Sequence, residues 1–308
     1  MTWWLRIVTC GLLFGTVSAV AESHPAWWRY ASPEATALVG IHWERVRASP
    51  SASAVSGELS GDGGLGFPDL ACVKDARQIL ISSPVLLAAA SGNFPAARVR
   101  AQAMGKGLKR TLYHEIEIWV TPGKDTLSLA RISDQLILLG RVKNLQDAID
   151  RSLLEDADRV YSPLLARGAR YTQDDLWVVA ARLPDDLAAR FFPIDAEAEG
   201  LEGFLSLQVG LRLGAVLSAS SPEAAMQLAE TLKQMVVSLP LVARGIDVRV
   251  DQRTVTTAMA VSEEQLLAGL RTTPLAEPQP QPPAIKPAGP QVIRILGLDD
   301  GPREIVVR

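Results

Sequence analysis

Apolar and polar positions alternate most clearly over residues 204–213. Leu205, Leu207, Val209, Leu211 and Leu213 take one side, while Ser206, Gln208, Gly210 and Arg212 take the other. A period of two predicts a half-buried strand, and a break is expected near Gly214. Ser221-Pro222-Glu223 then supplies a capping hydroxyl, a proline suited to a first helical turn and an acid suited to the helix dipole. Ala225, Leu228, Ala229, Leu232, Met235, Val236 and Leu239 follow at three- and four-residue steps, predicting a helix that stops at Pro240. Neither element can bury its apolar side alone, so strand and helix are natural partners.

The same grammar runs along the rest of the chain. β-like runs at 35–43, 78–82 and 85–90 precede a helix that starts at Asn93-Phe94-Pro95 and ends by Gly105-Lys106-Gly107. One long strand is expected over 109–120, then a strand pair, 127–132 and 135–140, turning at Ser133-Asp134, and a helix over 144–154 carrying Leu145, Ala148, Ile149 and Leu153 on one face. Residues 155–170 read as a connector, 174–182 as a strand, 184–191 as a short helix and 195–202 as an acidic loop. A hairpin turning at Asp251-Gln252 and a helix opened by the capping box Ser262-Glu263-Glu264-Gln265 complete the second half.

The two halves share one order of elements. The prediction is an α+β fold of two tandem pseudo-repeats, 22–160 and 161–271, each an antiparallel β-sheet with helices packed on one face. Residues 61–66 formally match G-x-G-x-x-G. A dinucleotide fingerprint needs a strand before it and a helix after it, however, and Phe67-Pro68-Asp69 follows here, so the match reads as a surface loop.

Composition adds an address. Residues 1–21 hold one basic residue (Arg6), an apolar run over 7–17 that is too short to cross a bilayer, and Ala19-Val20-Ala21, the form of a secretory signal cut after Ala21. The expected destination is the periplasm or the exterior, with no transmembrane span in the mature chain. Cleavage leaves 30 basic against 34 acidic residues, a balance unremarkable for a soluble exported protein. It also leaves Cys72 as the sole cysteine, so no internal disulfide can form and the thiol reads as a buried apolar group.

Past residue 271 the composition shifts. Seven prolines in 272–290 describe a semi-rigid spacer that reaches roughly 55–60 Å when extended. Residues 291–308 form a β-like tail whose Ile293, Ile295, Leu296 and Ile305 are too few to make a core of their own, so it is expected to dock by strand addition on its own chain or on a partner.

The chemical inventory is thin. His24, His42 and His114 are far apart, and the chain carries no G-x-S-x-G, H-E-x-x-H, C-x-x-C or phosphate-binding loop. His114-Glu115 on one strand point to opposite faces, and Asp174-Asp175, Asp185-Asp186 and Asp299-Asp300 sit where carboxylates cap turns. No cofactor or metal is expected. One charge feature stands out: between Ala76 and His114 there are six basic residues and no acid, and Arg98, Arg100, Lys106, Lys109 and Arg110 form a candidate anion-facing cluster toward an anionic envelope component. Without interleaved aromatics it does not point to nucleic acid. The reading is a non-enzymatic, exported binding or scaffold module. An apolar-ligand (lipid) carrier and an enzyme with no sequence-local motif stand as alternatives.

Overall fold

The structure, a computed structural model, describes residues 24–49, 75–123, 127–155, 161–182, 198–238, 245–272, 291–295 and 303–307. The expected signal, glycine-rich loop, Cys72, short helix over 184–191, most of the proline spacer, Leu296, Asp185-Asp186 and Asp299-Asp300 lie outside these residues. The chain divides into two compact units, Met1–Leu270 and Arg271–Arg308.

In the first unit a 3-10 turn, Ala26–Tyr30, precedes β1 (Ala37–Ile41), α1 (Trp43–Ala48), β2 (Ala76–Ser83), β3 (Leu87–Gly92) and α2 (Ala96–Gly105). Strands β4 (Lys109–Tyr113), β5 (Ile116–Val120), β6 (Ser128–Ser133) and β7 (Leu136–Gly140) follow, then α3 (Val142–Leu153) and α4 (Leu164–Ala169). The remainder is β8 (Leu176–Ala180), β9 (Ala198–Ser206), β10 (Leu211–Ala219), α5 (Pro222–Ser238), β11 (Asp247–Asp251), β12 (Thr254–Val261) and α6 (Glu263–Thr272). Two of the helix starts are capped as the sequence predicts. The amide of Ala224 donates to Ser221 Oγ at 3.1 Å, and Ser262 and Gln265 exchange backbone-to-side-chain bonds of 3.2 Å each.

These strands form one twelve-stranded sheet, ordered β11-β12-β10-β9-β8-β1-β2-β3-β7-β6-β5-β4, and every pairing within it is antiparallel. The order β1-β2-β3-β7-β6 recurs as β8-β9-β10-β12-β11, with the β4–β5 hairpin added to the first set alone. The sets meet where β1 pairs with β8, Val39 opposite Val178 and Gly40 opposite Trp177. A glycine is needed there, because a Cβ on Gly40 would lie 2.1 Å from Cε2 of the Trp177 indole. Gly168 of α4 closes on the same ring, where its Cβ would lie 2.6 Å from Cη2. Trp177 is thus held between two glycines, with the Trp28 ring 5.2 Å away, and is 1% exposed.

The fold class is α+β, as expected, with helices on both faces of each half: in the second half α4 packs on Trp177 and Val179, and α5 and α6 cover the opposite face. There, Val255, Met259 and Val261 are buried against α5 and α6 and alternate with exposed Thr256, Ala258 and Ala260. In the first half, Ile79, Ile81, Ala88, Ala90, Ile137 and Leu139 pack with Val99 and Ala103 of α2, while Leu87, Ala89, Leu136 and Leu138 pack with Leu145, Ala148 and Ile149 of α3. The physical reason is visible in the runs 87–90 and 136–140, which are apolar at every position, the composition of a strand covered on both sides.

Four local expectations are corrected. The long strand over 109–120 is two strands folded back at His114-Glu115, whose φ angles of 46° and 64° match a two-residue hairpin turn. The break expected near Gly214 falls earlier, at residues 207–210, where Gly210 takes φ 80°, and Gly214 lies within β10. The acidic loop over 195–202 is, from Ala198 on, the start of β9. The connector over 155–170 also contains α4.

In the second unit β13 (Gln291–Ile295) and β14 (Arg303–Val307) pair antiparallel as a sheet of two strands, with Ile293 opposite Ile305.

Candidate functional site

The described ionisable residues singled out in the sequence are dispersed through the first unit. Ring stacking places His24 against Trp28, with centroids 5.8 Å apart. His42 Nδ1 lies 3.1 Å from Gln78 Nε2, and burial, followed by the charge of Arg45, lowers the imidazole's pKa. In the β4–β5 turn His114 Nε2 lies 3.1 Å from Asp150 Oδ1. The three rings have different partners, and among the described residues no group of three or more His, Cys, Asp or Glu side chains is placed to hold a metal ion.

Asp175 is fully buried and has a structural task. Its carboxylate accepts from the Leu207 amide at 2.6 Å and from Gln208 Nε2 at 2.9 Å, and it lies 3.2 Å from Arg45 Nε. Arg45 also donates to the carbonyl of Asp174 at 2.8 Å. This cluster ties α1 of the first half to the β9–β10 turn of the second. A carboxylate with its lone pairs so engaged is a structural anchor.

The basic cluster has a hidden counterweight. Arg100 of α2 donates to Glu117 of β5 through Nε at 3.0 Å and through a second nitrogen at 2.5 Å, and Arg110 of β4 reaches the same carboxylate at 2.8 Å. Glu117 is buried. The hydrogen bonds from Arg100, then the charges of Arg100, Arg110 and Arg131, hold its pKa below the usual carboxylate value against the effect of burial. Arg98 pairs with Asp75 at 2.7 Å. Lys106 and Lys109 are exposed beside them. Arg98, Arg100 and Arg110 of the cluster thus point into ion pairs with Asp75 and Glu117.

A half-buried acid is held in a similar way in the second half, where Glu202 of β9 accepts from Arg167 Nε at 2.8 Å and from the Tyr171 hydroxyl at 2.9 Å. Burial and that hydrogen bond push the Tyr171 phenol up to about 12.

Sequence reasoning missed a cleft of about 400 Å3 between the 3-10 turn and the ends of β2, β3 and the β6–β7 hairpin. Trp27, Arg29, Tyr30, Arg77, Gln135 and Leu136 are among its lining residues. The aromatic segment 26–30 that supplies three of them packs on a sheet face, burying Trp28 and Tyr30. The available signal was Arg29, a cation set between two large aromatic residues. Ile293, Ile295 and Ile305 of the tail lie on β13 and β14, as described above.

No family model matches this chain, and no curated protein matches it. Solved structures do. Crystal form I of TP0453 is similar at a TM-score of 0.55 and 8% identity, over 81% of this chain and 98% of that one. Crystal form III of TP0453 gives 0.51 at 9% identity, over 80% and 98%. At such identities the likeness is one of fold. No described helix is long and apolar enough to cross a membrane.

Proposed function

We propose that this chain is an exported, non-enzymatic binding or scaffold protein of the cell envelope, in which a rigid body carries a tethered C-terminal hairpin that captures a partner by sheet addition. The observation that supports this most is the pairing of β13 with β14 in a sheet of their own. A hairpin of two strands is marginal in water, and each strand keeps an edge of main-chain donors and acceptors that its mate does not use. An added strand satisfies both needs through main-chain hydrogen bonds. The proline-rich spacer gives the hairpin reach, and the signal-like residues 1–21 supply the route of export. The recurring strand order favours descent of the body from a duplicated module, and the basic residues of α2 and β4 favour a weaker contact with an anionic envelope component.

Affinity capture from the producing cell with the full chain, beside a chain ending at Thr272, tests the reading. Proteins held by the full chain and lost by the shorter one are expected, and an unchanged set of captured proteins would sink it. The carrier alternative requires space between helix and sheet. On the side of α2 that space is filled by Phe94, Val99, Ala103 and Trp119, and on the side of α3 by Leu145, Ala148 and Ile149.

A further inference from the structure

The cleft over the 3-10 turn has the chemistry of a binding site. Two guanidinium groups line it, Arg29 and Arg77, and none of the described residues that line it is an acid. Nε of Arg29 is buried without a hydrogen-bond acceptor among the described residues, and the guanidinium carbon lies 5.3 Å from the centre of the Tyr30 ring. A charged donor buried without an acceptor is costly to leave unmade. The acid paired with Arg77 is Glu44, at 4.0 Å, where both side chains are about two-thirds exposed and water screens the attraction. Ser91, Ser133 and Gln135 add neutral donors around the rim. The rest of the wall is apolar: half-buried Trp27, and Leu136 at 8% exposure.

We propose that this cleft binds a small amphiphilic anion. Its carboxylate, phosphate or sulfonate head is held between Arg29 and Arg77, and its apolar body lies against Trp27 and Leu136. A planar guanidinium fork matches such oxyanions in two parallel hydrogen bonds, which a lysine cannot do. The volume suits a ligand of modest size, and a pocket with one polar end and one aromatic wall selects both halves of an amphiphile. The site lies wholly within the body, so it stands or falls independently of partner capture by the hairpin.

The probe is 8-anilinonaphthalene-1-sulfonate, titrated into the full chain and followed by its fluorescence. Arg77→Gln and Arg29→Gln are each expected to raise its Kd about tenfold, as loss of a charge-assisted hydrogen bond does. Arg249→Gln, on the exposed edge strand β11, is expected to leave the Kd unchanged. The uncharged analogue N-phenyl-1-naphthylamine is expected to bind at least about tenfold more weakly than the sulfonate, on the same reasoning. Displacement by 1-naphthoate would mark the natural body as a flat ring and displacement by laurate as an acyl chain; displacement by neither overturns the proposal. Arg77 is largely exposed, so Arg77→Gln folds whether or not Arg29→Gln does. A Kd for Arg77→Gln within twofold of the parent, or equal binding of the uncharged analogue, overturns it as well.

Discussion

Replacing Gly40 with alanine tests the junction on which the twelve-stranded sheet depends. One methyl group is added, and its carbon would sit 2.1 Å from Cε2 and 2.3 Å from Cζ2 of Trp177. Van der Waals contact between carbons begins near about 3.5 Å, so the indole must retreat by more than an ångström. It has nowhere to go. Gly168 closes its far side, the Trp28 ring is tilted against it, and the residue is 1% exposed. Overpacking a dense core typically costs about 1–3 kcal/mol, and with both sides blocked the expectation lies at the upper end, about 3 kcal/mol. For a body of this size that corresponds to a fall in Tm of about 6–12 °C. Urea unfolding followed by tryptophan fluorescence is the assay, with Gly105→Ala as reference. At Gly105, near the end of α2, an added Cβ meets nothing within 4 Å, and alanine is expected to stabilise by about 0.5–1 kcal/mol. A Gly40→Ala midpoint equal to that of the parent would refute the packing argument.

Glu117→Gln is expected to cost about 1–2 kcal/mol, because it removes the charge that organises Arg100 and Arg110. The same change should lengthen retention on a heparin column as the two cations turn outward; unchanged retention would mean that they do not face a polyanion. Tyr171 makes a signed prediction for alkaline pH. Its folded pKa of about 12 lies above the ordinary value of 10, so its contribution to stability is complete below pH 10 and is lost as pH rises from 10 through about 12. The urea-midpoint gap between the parent and Tyr171→Phe should therefore narrow between about pH 9 and pH 11.5, and a constant gap would contradict the Glu202 bond. N-terminal sequencing of the exported protein is expected to begin at Glu22, and an intact Met1 would remove the export reading.

What the sequence disclosed followed how local each signal was. The caps at Ser221 and Ser262 were legible because the donor, the acceptor and the helix they serve lie within a few residues. The His114-Glu115 turn was not, since neither residue is of the asparagine–glycine kind that marks a two-residue hairpin, and the alternation runs straight through it. The start of β9 looked like a loop because Glu199 and Glu202 are acids, yet their partners, Arg253 and Arg167, lie 54 and 35 residues away. The same unseen turn hid Glu117 from Arg110, and distance along the chain hid Asp175 from Arg45. The cleft was the least legible feature of all. It joins the arm at residues 26–30 to Arg77 and the β6–β7 hairpin, segments that no periodicity connects.

The direct test of the central claim is amide hydrogen exchange across β13 and β14, in the chain alone and with a protein recovered by its C-terminal unit. A free two-stranded hairpin should exchange within its outer edges nearly as fast as an open chain, and an added strand should slow those amides at least about tenfold. Protection that arises in 291–295 or 303–307 on binding is the predicted result. Unchanged exchange there, with protection instead along the sheet edges β4 or β11, would contradict it.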